Sequence, residues 1–359
     1  MALWKKNEVT VDLANYRYLF KAPPKFGKTT FFVDLVKKLY GSTEFGLLCS
    51  IGNEKGYKAI PDVIVADCPT WGDLMEVVDD LVENRDEYKF RMVALDTIDE
   101  LISIAVNEVI RLDWRQCGEK RTINSAFGGY GAGRKKVEEL VNSVITKIND
   151  ANLGIVFLGH TKIKTLTPKV GEAYDMLTSN LSSDYSKIFE NKADMIITGV
   201  IEREVENGLL QDESRWLVFR GDNFVDAGSR FADIVDRVPF TTDNFITSVK
   251  DAIKSAIGDK ATDKYIEEKT KQEQKEREDY YHENKTRLMK EDPNMTDVES
   301  EVETCDNLKA EIKNAITNLD AETKKSLQAK LKEAGLPVQY QKLTDADTLA
   351  KILSIVAPQ

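Results

Sequence analysis

The stretch Lys21 to Phe32, KAPPKFGKTTFF, constrains the fold of this chain more than any other. Gly27-Lys28-Thr29-Thr30 reads as the phosphate-gripping end of a loop that joins a strand to a helix. In such a loop, backbone N–H groups at the helix N-terminus point at phosphate oxygens and the helix dipole favours the anion. A lysine reaches the terminal phosphates, and a Ser or Thr hydroxyl ligates Mg²⁺. The flanks supply the required context. ANYRYLFKA has strand character, and TTFFVDLVKKLY sets Phe32, Leu35, Val36 and Leu39 at the i, i+3, i+4, i+7 spacing of one buried helix face. The loop therefore comprises Ala22, Pro23, Pro24, Lys25, Phe26, Gly27, Lys28, Thr29 and Thr30. Ala22 stands where a glycine usually opens the motif, at a strand end where a small side chain suffices. Pro23 and Pro24 fall at variable positions and stiffen the entry. The expected ligands are ATP and Mg²⁺, with Gly27 giving backbone freedom, Lys28 the charge and Thr29 the metal-facing hydroxyl.

A second element supports this site. FRMVALDTIDEL is an apolar strand ending in Asp96, a carboxylate placed to hold Mg²⁺ beside Thr29; capping of the helix that follows is the rival role. Hydrolysis needs a carboxylate that orients or deprotonates water. Glu54, in LLCSIGNEKGY just past the second strand, is the first candidate because ligands bind at the carboxyl ends of such strands. Asp99 and Glu100 are the alternatives. His160, ending the apolar run GIVFLGHTK, is placed to sense a γ-phosphate.

From Tyr16 to about Phe240, short apolar runs alternate with amphipathic stretches, the pattern of a mostly parallel sheet covered by helices. Expected strands are 17–22, 46–51, 62–67, 91–96, 154–159, 194–200 and 215–220. Expected helices are 29–40, 71–84, 98–112, 134–149, 183–191 and 243–257. Two connections, 113–133 and 162–181, are long enough to be functional loops. Past residue 257 the chain turns densely charged with almost no apolar periodicity. Residues 258–304 read as a linker or solvated helix, and 305–359 as a small three-helix module beyond an ATPase core of 1–257. Asp320 is a potential cap of the module's middle helix, and Gly335 ends it.

A net charge of −11 excludes a generally basic nucleic-acid binder, so any DNA must meet a local patch. Four scattered cysteines and two histidines make no zinc pattern and suit a reducing, cytoplasmic location. No apolar run reaches the roughly 18 residues of a membrane span.

The motifs APPKFGKTT, NEKGY, VALDTIDEL, GYGAGRKKVEELVNSVITKI leading into GIVFLGHTK, and VFRGDNFVDAGSRF occur in an order that resembles the bacteriophage RecA-like core ATPases, a family of single-strand annealing recombinases. The resemblance covers about residues 10–240. It implies a RecA-like P-loop NTPase fold, α/β, that self-associates as a filament or ring with ATP at subunit interfaces. It further implies that Lys28 and Thr29 bind phosphate and Mg²⁺, Asp96 supports the metal, Glu54 positions water and His160 acts as sensor. Single-stranded DNA would lie against the two long loops, on Arg115, Lys120, Arg121 and Arg134 near the first and Lys162, Lys164 and Lys169 in the second. Trp114, Phe127 and Tyr130 are candidate stacking residues. Arg230 and Arg220 are candidates for a cation offered to a neighbour's γ-phosphate. The expected activity is a DNA-stimulated ATPase that promotes annealing or strand exchange in phage recombination, with the C-terminal region recruiting a partner such as a single-strand binding protein. The rivals are an AAA+-like ATPase serving as helicase loader or replication motor, and a nucleotide-binding scaffold without DNA activity. Many AAA+ enzymes carry a Glu directly after the metal-binding Asp; here that residue is Thr97.

Overall fold

The computed structural model describes residues 7–119, 121–169, 171–207, 209–288, 298–317, 321–343 and 346–356. The chain separates into two compact units, one of residues 1–104 and 141–292, the other of 105–140 and 293–359.

The first unit is built on a sheet of ten strands: β1 (Tyr18–Ala22), β2 (Gly46–Ile51), β3 (Val65–Cys68), β4 (Met92–Asp96), β5 (Gly154–Leu166), β6 (Tyr174–Ser179), β7 (Met195–Glu206), β8 (Leu209–Val218), β9 (Gly228–Ser229) and β10 (Arg237–Pro239). Its order is β10-β8-β7-β1-β5-β4-β2-β3, with β6 added to β5 and β9 to β7. The strands from β7 to β3 run parallel, and β8 turns antiparallel to β7. One strand, β5, therefore lies between the strand feeding the phosphate loop and the strand carrying Asp96. All five residues of β1, β4 and the six of β2 are buried, the near-continuous apolar run of strands covered on both faces.

The helices of this unit include α1 (Lys28–Tyr40), α2 (Trp71–Glu83), the start of α3 (Ile98–Cys117), the end of α4 (Ala132–Asp150), α5 (Ser183–Glu190), α6 (Thr242–Ile257) and α7 (Asp263–Leu288). On one sheet face Phe31, Phe32, Leu35 and Val36 of α1 join Phe245, Val249, Ala252 and Ile253 of α6 over Tyr18, Phe20, Val156 and Leu158. Phe20, Phe31 and Phe245 make edge-to-face contacts there with centroids about 5 Å apart. On the other face Phe157 meets Phe189 of α5.

Two expectations are corrected. Residues 162–181 are not a loop: β5 runs on to Leu166 and pairs antiparallel with β6 from Thr161↔Ser179 to Leu166↔Tyr174. Alternating Lys162-Ile163-Lys164-Thr165 has the period of a strand, and its β-branched residues find cross-strand partners that the sequence does not display. Residues 113–133 likewise shorten, because α3 continues to Cys117 and α4 begins at Ala132.

Residues 263–288 form a helix, as one of the two readings of that stretch has it, but one stripe is not solvated. Tyr281 and Arg277 are buried, and Glu273 accepts hydrogen bonds from Val11 N and Asp12 N. The stripe is polar and held by hydrogen bonds, so no apolar periodicity announces it. The second unit contains α8 (Val298–Thr317), α9 (Ala321–Glu333) and α10 (Ala346–Val356), which enclose a small core of Ile312, Leu331, Tyr340, Leu349, Ile352 and Val356. Asp320 lies outside the described residues.

Candidate nucleotide-binding site

The phosphate loop is shaped by its own residues. Phe26 N donates to Pro23 O at 3.3 Å, closing a turn whose central residues are Pro24 and Lys25. Proline presets the backbone at the first central position, and Lys25 takes φ +61° at the second, where glycine is commoner. Phe26 is fully buried beneath the loop, its ring 4.5 Å from that of Phe240. Gly27 adopts φ +108°, a backbone conformation that favours glycine, and a Cβ there would press on the Phe240 ring at 3.3 Å. Helix α1 starts at the next residue, leaving its first-turn N–H groups for an anion.

Around this loop the strand ends converge. Pro24, Lys25, Gly27, Lys28, Thr29, Thr30, Glu54, Gly56, Ile60, Asp96, Thr97 and His160 line one cleft of about 430 Å³, a size typical of small-molecule sites. Lys28 Nζ donates to the carbonyls of Ala22 and Pro23, both at 3.2 Å. Burial lowers its pKa, opposed by the negative charge of Asp96, Glu54 and Asp99. Thr29 Oγ1 donates to Asp96 Oδ2 at 2.7 Å, so the hydroxyl and carboxylate expected to share a cation already meet. Burial pushes the Asp96 carboxyl up to about 6, with the Thr29 hydrogen bond pulling the other way. A carboxylate held at that cost beside a polar cleft suits a cation.

Among the described residues no three His, Cys, Asp or Glu side chains gather as a metal cage. One hydroxyl and one carboxylate fit Mg²⁺, which keeps waters and takes its remaining oxygens from substrate phosphates. Bound there, Mg²⁺ would neutralise phosphate charge.

The three carboxylates weighed as water-activating groups separate in the structure. Glu54 Oε1 accepts from Gly56 N at 3.1 Å and faces the cleft. Glu100 packs against Gly52, and a Cβ on that glycine would meet it. Asp99 accepts from His160 N at 2.9 Å and from Asn180 Nδ2 at 3.0 Å, with His160 Nδ1 at 3.4 Å. Burial alone would raise the Asp99 carboxyl; the bonds from His160 and Asn180 outweigh it and hold the group below the usual range. Asp99 thereby holds His160, which lies midway along β5 in register with Ala22 at the end of β1.

The remaining candidates lie elsewhere. Arg230 pairs with Asp194 at 3.2 Å, next to β9 and the start of β7, the end of the sheet opposite the phosphate loop. It does not reach its own chain's cleft. Arg220 bonds Ile234 O. Lys162, Lys164 and Lys169 are exposed on the β5–β6 hairpin, Lys162 donating to Asn180 O. Arg115, Arg121 and Arg134 belong to the second unit, with Arg121 near Asp113 and Glu119 and Arg134 bonded to Asn124. Phe127 is anchored through its N–H to Asp113, whereas Tyr130 is fully exposed and Trp114 half so. Lys120 lies outside the described residues. Sequence reasoning missed Arg215, which donates to Phe26 O at 3.3 Å from strand β8, and Phe240, which packs against Gly27. Neither stands at a fixed spacing from the loop, so no sequence signal marks them.

A protein-family model described as an AAA domain matches residues 14–231. No match is found among curated proteins. The matched span takes in more than half of the chain, including the phosphate loop, Glu54, Asp96 and His160, and the chain belongs to this AAA-domain family of P-loop nucleotide-binding ATPases.

Proposed function

We propose that this chain is a Mg²⁺-dependent, RecA-like ATPase of the phage recombinase type, which binds single-stranded DNA and promotes annealing or strand exchange. The observation that carries this reading is the continuity of β5. The strand delivers His160 to the nucleotide cleft and then runs directly into the exposed hairpin that bears Lys162, Lys164 and Lys169. A γ-phosphate sensed by His160 has a short mechanical route to a basic surface. In this reading the loop N–H groups and Lys28 hold the phosphates, and Thr29 and Asp96 hold the cation. Glu54 takes the proton of the attacking water, while Asp99 and Asn180 keep the His160 imidazole aimed at the cleft. The arginines of the second unit add phosphate contacts, Arg230 serves a neighbouring subunit in trans, and subunits assemble as filament or ring. The C-terminal region recruits a single-strand binding protein. Among the described residues, Cys49, Cys68 and Cys117 are buried free thiols, which suits action in the cytoplasm.

The test is ATP turnover with and without single-stranded DNA in wild type, Lys28→Ala and Glu54→Gln, together with a gel shift at low salt. DNA-stimulated turnover that both variants abolish is the expected result. Unstimulated turnover with no shift removes the recombinase reading. The AAA-domain match favours a second reading, a motor that loads a replicative helicase. In that case turnover responds to the helicase and not to DNA alone.

A further inference from the structure

Beside the β5–β6 hairpin, the segment from Arg220 to Ala227 forms a turn joined to β6 by a single bridge pair. Leu177 N donates to Phe224 O at 2.6 Å and Asp226 N donates to Leu177 O at 3.0 Å, a parallel bridge between Leu177 and Val225. Residues flanking a bridge pair point to the opposite face from it. Asp226 therefore shares the face of Thr178, whose hydroxyl donates to its carboxylate, and through the β5–β6 register that of Lys162 and Lys164; Phe224 lies in the turn just before the bridge, its carbonyl bonded to Leu177 N of β6.

This turn is rigid. Asp222 Oδ1 accepts from Phe224 N at 2.7 Å and from Val225 N at 2.8 Å. Gly221 N donates to Ala227 O, and a Cβ on Gly221 would come within 2.8 Å of the Val225 and Ala227 carbonyls. Asp226 pairs with Lys21, a fully buried lysine of the strand that feeds the phosphate loop. Its carboxylate also accepts from Thr178 Oγ1 at 3.1 Å, and its carbonyl from Thr198 Oγ1 at 2.6 Å. A fixed scaffold thus holds the Phe224 ring in solvent, 64% exposed. A single exposed aromatic is ordinary on a protein surface. One held by a hydrogen-bonded turn beside the strand pair that carries two exposed lysines, and tied to the nucleotide strand, has the parts of a single-strand platform: a ring for a base and cations for the backbone.

We propose that Phe224 stacks on a base of single-stranded DNA whose phosphates run along Lys162 and Lys164, so that the DNA site extends from the hairpin onto the 221–227 turn. The inference rests on the single-stranded DNA reading above and adds a subsite outside both long connections.

The test uses the full chain with an ATP analogue and a fluorescent-base (2-aminopurine) oligonucleotide, beside the same length of abasic backbone. Wild type should quench the base fluorescence on binding. Phe224→Ala should lose the quench and bind the base-bearing strand about ten-fold more weakly, yet bind the abasic strand as wild type does. Phe224→Trp should restore both. Thermal melting checks that each variant folds. If Phe224→Ala matches wild type on both strands while Lys164→Ala weakens both, the stacking subsite is wrong and the DNA reading stands. Equal weakening of Phe224→Ala on both strands assigns Phe224 a structural role and also overturns the subsite. Wild type that binds neither strand overturns the DNA reading and the subsite with it.

Discussion

Gly27 is the residue on which the loop turns. Its φ of +108° strains any side chain, and a methyl group there would press on the Phe240 ring. Gly27→Ala should cost about 1–2 kcal/mol of stability, seen as a lower melting temperature, and should weaken ATP-analogue affinity because the first-turn N–H groups are re-aimed. Glu54 makes a different prediction, since its carboxylate bonds only the local Gly56 N–H among its hydrogen-bond partners described here. Glu54→Gln should keep ATP binding within about threefold and lower turnover by about 10²–10⁴-fold, the usual contribution of a general base. Isothermal titration and single-turnover hydrolysis separate the two effects, and unchanged turnover would remove Glu54 from the chemistry. Lys28, Thr29, Glu54, Asp96 and His160 were legible because strand-end chemistry carries its own spacing and flanks. Arg215 and Phe240 reach the same loop through tertiary packing alone, and the bonds from Asn180 and His160 to the Asp99 carboxylate join residues 61 and 81 positions apart, which no local pattern displays.

At the scale of elements, β1, β2, β4, α1, α2, α5 and α6 match their expected bounds to within a residue, since buried runs and amphipathic stretches alternate there, whereas β3 is shifted and β7 and α3 run several residues further. The β5–β6 hairpin and the docked stripe of α7 were not legible. The first hides its strands behind lysines and threonines, and the second binds through Glu273, Arg277 and the Tyr281 hydroxyl, which donates to Val82 O. Lys21 is the clearest conflict between local pattern and fold: a charge in the middle of a buried strand, paired with Asp226 from 205 residues further on. Removing one partner of a buried ion pair costs more than replacing both. Because Lys21 is buried but a third of the Asp226 side chain meets solvent, Asp226→Asn should destabilise the chain by about 1–3 kcal/mol, while Lys21→Met combined with Asp226→Leu should recover much of the loss. Urea denaturation of the three variants checks this, and a double variant as weak as the single would mean that Asp226 acts chiefly through Thr178 and the 221–227 turn.

The whole molecule carries a net charge of −11, so a polyanion approaching it meets overall repulsion and must be held locally. Salt affects these two terms in opposite directions. Screening over about 10 Å at 0.1 M weakens the diffuse repulsion, while counterion release makes each phosphate contact less favourable. For a single strand, each neutralised phosphate contributes about 0.7 to the slope of log affinity against log salt. If Lys162, Lys164 and Lys169 each engage one phosphate, replacing all three by alanine should flatten the slope by about 2. The same substitution should leave ATP-analogue affinity unchanged, because none of the three lines the nucleotide cleft. A slope unaltered by the triple substitution would move the phosphate contacts to Arg115, Arg121 and Arg134 of the second unit, whose replacement should then flatten it instead. A positive slope in wild type would mean that repulsion from the acidic chain dominates, and that no local patch holds the strand.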